Sequence, residues 1–341
     1  MHLPSEWHQQ AFVQLTWPHA ETDWAPLLAE AVECYVEMAR EISRREPLLI
    51  VANEANEVET TLLQNGFTSE QMERIRIVSC PTNDTWARDH AFITCLDERR
   101  PVLLDFQFNG WGEKFEATLD NQINQRLYRA GVVEGKYEDH LDFVLEGGSI
   151  ESDGEGTVLT TSSCLLAPHR NQPLTARDIE QELIRRFGAK RVLWLHHGYL
   201  AGDDTDGHID TLARLCPDDT IAYVQCTDPT DEHFAELQAM EQELKALTTL
   251  EGKPYRLIPL PMPRPIYDPD ASHQRLPATY ANFLIMNGAV LYPTYAQPDL
   301  DLVARRQLQL AFPDRDIVGI DCQVLIRQHG SLHCCTMQYP R

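Results

Sequence analysis

Apolar and polar positions alternate along the chain with two different periods, which predicts a mixture of helices and strands. Apolar side chains recur at helical spacing over residues 24–44, 175–187, 231–247 and about 300–311. The second stretch has clear end signals, with Thr175 before its first turn and Gly188 just after its last apolar position. Short apolar runs typical of strands occupy residues 48–51, 75–78, 91–95, 102–108, 141–145, 157–161, 192–195, 209–215, 221–226, 256–260, 283–286, 289–292, 317–320 and 322–327.

Groups of predicted strands alternate with helices about five times, at spacings of roughly 60 residues. The pattern predicts an α/β fold with internal structural repetition. A doubly wound α/β sheet would alternate too, but it would need fewer paired strands between its helices. No Gly/Ser-rich or Pro-rich linker interrupts the pattern.

The charge balance narrows the class of partner. The chain carries 52 acidic and 29 basic residues, for a net charge of -23. Such a surface repels nucleic acid and anionic membranes and attracts small cations, although acidity alone also serves solubility. No apolar run approaches the roughly 18 residues of a membrane span, and the N-terminus lacks a signal-peptide pattern. Nine scattered cysteines without a CxxC pair suggest reduced thiols, so we expect a cytoplasmic protein.

Four short segments concentrate glycine, polar and ionisable residues beside apolar runs, namely residues 83–89, 145–149, 203–210 and 330–335. Cys334 in the last segment is a candidate nucleophile, although a lone cysteine is more often a packing residue. On a strand, the neighbouring His333 would face away from it, so His208 is the natural partner. His208 and Asp210 would share one face of an extended chain, as an acid/base pair, as metal ligands, or as part of an acidic surface turn.

Two further carboxylates fit a cation site. Glu146 precedes two glycines and would either orient a catalytic base or lie in a solvated turn. Asp89 follows Trp86 closely, and an aromatic ring beside a carboxylate suits a planar cation. The alternative is a routine ion pair between Asp89 and its neighbour Arg88. The tryptophans, including Trp111, are more often core residues than site residues.

The order of the motifs is more specific than any one of them. The segments NDTWARD (83–89), FNGWG (108–112), EGGS (146–149), GHID (207–210) and HCCT (333–336) together resemble the agmatine deiminase/bacterial peptidyl-arginine deiminase family. Residues 17–19 and 281–289 extend the resemblance over essentially the whole chain. The resemblance implies the pentein fold, a five-bladed α/β propeller of ββαβ repeats with its site on the pseudo-fivefold axis. It therefore implies a single catalytic domain over residues 1–341. It also implies that no metal and no organic cofactor is needed.

The resemblance assigns expected roles residue by residue. Cys334 corresponds to the nucleophile and His208 to the acid/base. Asp89 and Asp210 correspond to the carboxylates that hold a guanidinium, and Glu146 to the glutamate that pairs with the histidine. We also expect the substrate to contact three further side chains, which are Trp86, Trp111 and Asp204.

The expected activity is that of an agmatine deiminase, which would release ammonia and N-carbamoylputrescine in polyamine (putrescine) biosynthesis. The first alternative is a deiminase for arginine or peptidyl-arginine, with Arg88 or Arg327 holding an α-carboxylate. Residues 328–331 depart from the family's usual glycine run, Cys335 replaces an aliphatic residue, and Thr211 replaces asparagine.

Two other classes of protein are compatible with the sequence. One is a metal-dependent hydrolase built on His208, Asp210, His197 and Glu146, against which the lack of an HExxH pattern argues. The other is a pentein that binds without catalysis. The partner in every case is a small molecule, here a cationic guanidino compound. The sequence does not fix the oligomeric state, and a homodimer is among the states that it allows.

Overall fold

The computed structural model describes residues 1–98, 100–270 and 273–341. Its strands are β1 (Gln10–Thr16), β2 (Leu48–Ala52), β3 (Ile75–Ser79), β4 (Ile93–Asp97), β5 (Arg100–Gln107), β6 (Lys136–Val144), β7 (Ile150–Ser152), β8 (Thr157–Thr161), β9 (Arg191–Leu195), β10 (Ala213–Cys216), β11 (Thr220–Gln225), β12 (Arg256–Pro261), β13 (Leu284–Met286), β14 (Ala289–Thr294), β15 (Asp316–Asp321) and β16 (Thr336–Pro340). Its α-helices are α1 (Leu28–Ser43), α2 (Ala55–Gln64), α3 (Ser69–Glu73), α4 (Ala87–His90), α5 (Gly110–Glu113), α6 (Ile123–Arg129), α7 (Ser162–Leu165), α8 (Ala176–Phe187), α9 (Phe234–Ala246) and α10 (Pro298–Ala311).

The strands of the described residues pair into five separate sheets, in the orders β16-β1-β2-β3, β4-β5-β6, β7-β8-β9, β10-β11-β12 and β13-β14-β15. In each three-stranded sheet the first two strands are antiparallel and the last two are parallel. A parallel pair requires a long crossover, and helices lie in each of these connections. The predicted α/β repetition is therefore confirmed at the level of strand pairing.

The two ends of the chain meet in the remaining sheet. Strand β16 runs antiparallel to β1, with Val13 opposite Gln338, and β1 then pairs in parallel with β2. Both terminal strands were missed in the sequence, because their apolar runs are short and mixed with glutamine. Their pairing places the segment just before β1 beside the end of β16, and the segment just before β16, which carries Cys334, beside the end of β1.

Helix α8 shows how local signals fix an element. The Thr175 side chain accepts the Asp178 N–H and the Asp178 side chain accepts the Thr175 N–H, which forms a capping box. Gly188 ends the helix in the left-handed region at φ 63°. Ile179, Leu183 and Phe187 are completely buried, as their spacing predicts.

One predicted strand is wrong and another is correct only in part, and both errors lie near the polar motifs. Residues 322–327 do not form a strand, because a 3-10 turn occupies Leu325–Gln328. Only Ala213–Cys216 of the predicted strand 209–215 is extended, because Ile209–Thr211 forms another 3-10 turn. The extended geometry assumed for His208 and Asp210 is therefore absent.

A recurring feature connects the fold to the site. A single turn of 3-10 or α-helix directly precedes the first strand of several sheets, with α4 before β4, Gly147–Ser149 before β7, Ile209–Thr211 before β10 and His333–Cys335 before β16. These turns contact one another. In the described residues, no helix has both the length and the apolar character that a membrane crossing requires.

Candidate active site

The turns before the strands bring the predicted site residues together. Asp89 lies in α4, Asp210 in the turn before β10, and Cys334 in the turn before β16. The fifth sheet contributes from the equivalent position, because Asn282 lies just before β13. Asn282 belongs to the 281–289 motif, but no role could be assigned to it from the sequence, since its neighbours come from distant parts of the chain.

Cys334 is buried at the centre of this group. Its Sγ lies 3.4 Å from Asn282 Oδ1 and 3.9 Å from Asp210 Oδ2. Burial raises the pKa of the Cys334 thiol well above its usual value, and the charges of Asp210 and Asp89 raise it further. In the absence of substrate the site therefore favours the thiol, although a protonated His208 alone would favour the thiolate.

Asp89 is held by two donors. Its Oδ1 accepts the Gly148 N–H at 3.0 Å, and its Oδ2 accepts the Trp111 indole N–H at 3.0 Å. Burial raises the pKa of Asp89 to about 6, and the Asp210 and Glu146 charges add to that rise while His208 opposes it. Each carboxylate oxygen keeps acceptor capacity for a further N–H group.

Asp210 presents one bound and one free oxygen. Its Oδ2 pairs with His333 Nδ1 at 2.7 Å, whereas Oδ1 is buried without a hydrogen-bond partner among the described residues. Burial acts to raise the pKa of Asp210, but His333, His208 and Arg214 outweigh burial and lower it. Asp210 is therefore an ionised carboxylate with an open acceptor inside the protein.

His208 is completely buried beside the first carboxylate, with Nδ1 3.7 Å from Asp89 Oδ1. Within the described chain, neither of its ring nitrogens has a hydrogen-bond partner. Burial favours the neutral ring, yet Asp89, Cys164 and Glu146 together raise the pKa of His208 well above its usual value. The imidazole is thus a proton donor in the resting site.

Gly148 is required for this packing. A Cβ at position 148 would lie 2.6 Å from His208 Nδ1, 2.9 Å from Asp89 Oδ1 and 3.0 Å from Asp210 Oδ2. Cβ atoms essentially never lie closer than 3.0 Å to such atoms, as the first two distances would require, so any side chain there would displace the group. The close approach of these three side chains to the backbone therefore explains the second glycine of the EGGS motif.

Glu146 lies beside His208 but without the expected hydrogen bond. Its Oε1 accepts Arg170 Nε–H at 2.8 Å, and its Oε2 is unpartnered in the described residues. Glu146, Cys164 and His208 each present a ligand-type atom within 4.8 Å of the other two. Arg170 and Cys164 carried no signal in the sequence, because each is recognised only by what it contacts.

The four-residue metal site considered above is not assembled. His197 pairs with Glu236 at 3.2 Å on the surface, where its side chain is 47% exposed. It therefore lies apart from the completely buried Glu146, His208 and Asp210.

A pocket opens over Cys334, with aromatic walls and several carboxylates. Its lining comprises Asp23, Asp84, Trp86, Asp89, Trp111, Phe115, Asp204, Thr205, Gln328, His329, Gly330 and Cys334. The rings of Trp86 and Trp111 meet edge to face at 6.5 Å. A Cβ at position 330 would overlap the Trp86 ring, which explains the glycine there.

The expected substrate contacts Trp86, Trp111 and Asp204 all lie in this pocket, whereas two other predicted partners do not. Arg88 turns away, pairing with Glu6 at 3.1 Å, so the routine Arg88–Asp89 ion pair is wrong. Arg327 pairs with Asp270 and, at 3.7 Å, with Asp268. Neither arginine lines the pocket in the described structure.

Repeated sheets surround the buried thiol, the histidine and the paired carboxylates in a mixed α/β fold, and solved structures of similar fold include members of the pentein superfamily. The chain belongs to the Porphyromonas-type peptidyl-arginine deiminase family, which it matches over residues 2–340.

Named relatives cover almost the whole chain. The agmatine deiminase of Stutzerimonas stutzeri is 31% identical over 359 residues, covering 99% of this chain and 95% of the relative. A solved Porphyromonas gingivalis protein, provisionally named an arginine deiminase, is 52% identical, with a TM-score of 0.93 and coverage of 99% and 98%. A C. jejuni agmatine deiminase variant solved with substrate bound is 38% identical, with a TM-score of 0.90 and coverage of 100% and 96%.

Proposed function

We propose that this chain hydrolyses the guanidinium group of agmatine, giving N-carbamoylputrescine and ammonia, with Cys334 as the nucleophile. The observation that carries the proposal is the buried Cys334 thiol beside Asp210, 3.9 Å from its Oδ2, at the base of a pocket that Asp89 also lines. Relatives of full length that bear the name agmatine deiminase support the same reaction.

In this proposal, the two carboxylates hold the planar cation. Asp89, fixed by Gly148 and Trp111, accepts substrate N–H groups with the remaining lone pairs of its oxygens. Asp210 accepts another with the free Oδ1. Paired carboxylates fix both the position and the plane of a guanidinium, which presents its central carbon to the sulfur.

The arriving cation also activates the nucleophile. The Asp89 and Asp210 charges oppose the thiolate in the empty site, and a bound guanidinium neutralises them. The thiol then loses its proton to solvent, and its sulfur forms a bond to the central carbon. Protonated His208 donates its proton to the departing nitrogen, which leaves as ammonia.

The remaining thiouronium intermediate is bound to the enzyme through the sulfur, and its positive charge is spread over the carbon and its two nitrogens. Neutral His208 now takes a proton from water, whose oxygen attacks the same carbon. The C–S bond then breaks, and the hydroxyl proton of the adduct passes to the departing sulfur, which restores the thiol. The product is a ureido compound. All of these steps use side chains of the chain and water.

The pocket charges favour agmatine over free arginine. Asp23, Asp84 and Asp204 lie on its walls, and such carboxylates suit the ammonium at the far end of agmatine. The α-carboxylate of arginine would need a cation there, and Arg88 and Arg327 are engaged elsewhere. Arginine is the second candidate, because the P. gingivalis relative with 52% identity carries an arginine deiminase name.

The wider architecture belongs to the same proposal. The five sheets share one pairing pattern and contribute to the site from equivalent positions, which supports blades of a pentein propeller around one axis. We further propose that residues 1–341 work as one catalytic domain, as the family resemblance implies, and that the protein works in the cytoplasm.

The test is ammonia release from purified protein supplied separately with agmatine, arginine and a blocked arginine peptide. We expect activity with agmatine, its loss in Cys334→Ala and no effect of EDTA. Activity only on arginine or the peptide would overturn the substrate and keep the chemistry. Loss of activity with EDTA, or full activity in Cys334→Ala, would refute the thiol mechanism.

A further inference from the structure

Glu6, in the segment before β1, contacts a residue beside the site without lining the pocket over Cys334. Its carboxylate lies 2.8 Å from His333 Nε2 and pairs with Arg214, while the other ring nitrogen of His333 pairs with Asp210 at 2.7 Å. His333 and Arg214 are almost completely buried, and the Glu6 side chain is 17% exposed. A continuous set of polar contacts thus joins the N-terminal segment to a carboxylate beside Cys334.

We propose that Glu6, Arg214 and His333 are positioning residues, which fix the orientation of Asp210 so that its Oδ1 faces the guanidinium. This inference rests on the proposed function, because it concerns how that site holds its substrate. None of the three residues lines the pocket over Cys334.

The protonation of His333 decides how the relay works. Burial lowers the pKa of His333, and the neighbouring charges of Arg214 and Arg88 lower it further, so the ring carries one proton. His333 Nε2 lies between a donor, the Arg214 guanidinium at 3.0 Å, and an acceptor, the Glu6 carboxylate at 2.8 Å, so its own contacts do not decide the tautomer. Nδ1 faces Asp210 Oδ2 at 2.7 Å, and an ionised carboxylate can only accept, so the single ring proton is on Nδ1.

Glu6 sets the position of Arg214. Its carboxylate also pairs with Arg88 and accepts the Gln338 amide at 3.0 Å, so it joins α4, β10 and β16. Arg214 is held from its other side by Glu151. A guanidinium fixed between two carboxylates cannot rotate away from His333, which makes the tautomer of the ring a property of the fold.

The relay has a consequence for substrate binding. With Oδ2 paired with His333, Oδ1 is the Asp210 oxygen that has no partner in the described residues and is fully available to a ligand. Without the Nδ1–H donor, the Asp210 side chain could rotate. Its negative charge would then lie near Asp89 and Cys334 with less stabilisation from the positive charges of His208 and Arg214. Its pKa, now lowered chiefly by the His333 hydrogen bond against burial, would rise.

Two substitutions of one residue separate positioning from packing. The side-chain amide of His333→Asn reaches the place of Nδ1 and keeps a donor to Asp210, whereas that of His333→Gln reaches the place of Nε2. We expect His333→Gln to lower kcat/KM for agmatine about 10- to 100-fold, the range for one hydrogen bond to a charged group, and to move the acid limb of its pH profile upward. We expect His333→Asn to keep most of the wild-type kcat/KM and to leave the acid limb close to its wild-type position.

Glu6→Gln should change the profile in the same direction. Glu46→Gln is the matched control, since Glu46 is also a buried glutamate but contacts Asn287 instead of the relay. The control should leave kcat/KM and its pH profile unchanged. Circular dichroism and thermal melting verify that each variant is folded.

An activity-independent measurement separates this inference from the proposed function. Histidine 15N chemical shifts, assigned with His333→Asn, should show His333 protonated at Nδ1 in the resting protein, and should change in Glu6→Gln. If no guanidino compound is turned over, the proposed function fails while the tautomer result stands. Protonation at Nε2, or equal activity and pH profiles in the Asn and Gln variants, would overturn the relay.

Discussion

Asp89→Asn separates the charge of the site from its shape. The two side chains are nearly identical in size, but the amide has a single carbonyl oxygen. Asp89 accepts Gly148 N–H and Trp111 Nε1–H on different oxygens, each at 3.0 Å. In the variant one of these donors faces an NH2 group, and the site loses the negative charge that would hold the guanidinium.

The size of the effect follows from the lost hydrogen bonds. A hydrogen bond to a charged group contributes about 1.5–3 kcal/mol, and Asp89 can offer two to the substrate. The expected loss of transition-state stabilisation is therefore about 3–6 kcal/mol, which lowers kcat/KM about 10²- to 10⁴-fold. Initial rates of ammonia release from agmatine measure this ratio directly.

The pH profile provides an independent measurement on the same variant. Burial raises the pKa of Asp89 to about 6, so in the free enzyme its carboxylate becomes neutral as the pH falls through that value. Since kcat/KM reports ionisations of the free enzyme, the wild type should lose activity below about pH 6. In Asp89→Asn, kcat/KM should be low at every pH, and the acid limb should be absent. A loss smaller than about tenfold, or an unmoved acid limb, would refute the role given to Asp89.

Three further predictions concern groups around the site and in the core. Gly330→Ala should raise KM for agmatine at least about tenfold, because its methyl group would overlap the Trp86 ring; an unchanged KM would contradict this packing. Cys335→Ala should keep activity within a few-fold, since Cys335 is completely buried outside the pocket lining, and a thiol reagent should still inactivate the variant. Burial raises the pKa of Glu46 to about 7, above the value of 4.5 expected for the unfolded chain, so its ionisation costs stability as the pH rises through that window. Glu46→Gln should therefore stabilise the protein by up to about 3 kcal/mol at pH 8 and by little at pH 4, and equal changes in Tm at the two pH values would argue against the shift.

The sequence predicts elements whose signals are local. The ends of α8 follow from Thr175 and Gly188, and most strands follow from apolar runs, because these preferences act over a few neighbouring residues. The turn at Ile209–Thr211 was predicted as strand, since three residues are too few to reveal a period. Glu6 and Asn282 are not identifiable as site residues from the sequence, because the residues around them come from parts of the chain up to hundreds of positions away.

The repeated architecture explains why the motifs nevertheless pointed to one place. Asp89, Asp210, Asn282 and Cys334 each lie just before the first strand of a different sheet. Any one of these residues therefore has its chemistry set by side chains from other sheets. Asp210 keeps a free oxygen because His333 holds the other, and Cys334 stays a thiol because burial, and then the charges of Asp210 and Asp89, oppose its ionisation. A turn in one isolated repeat would tolerate many residue types. Once several such turns face one another, only a few residue types fit at each position. This is the physical reason why short motifs separated by tens of residues identify the site jointly, whereas each of them alone is compatible with a surface turn.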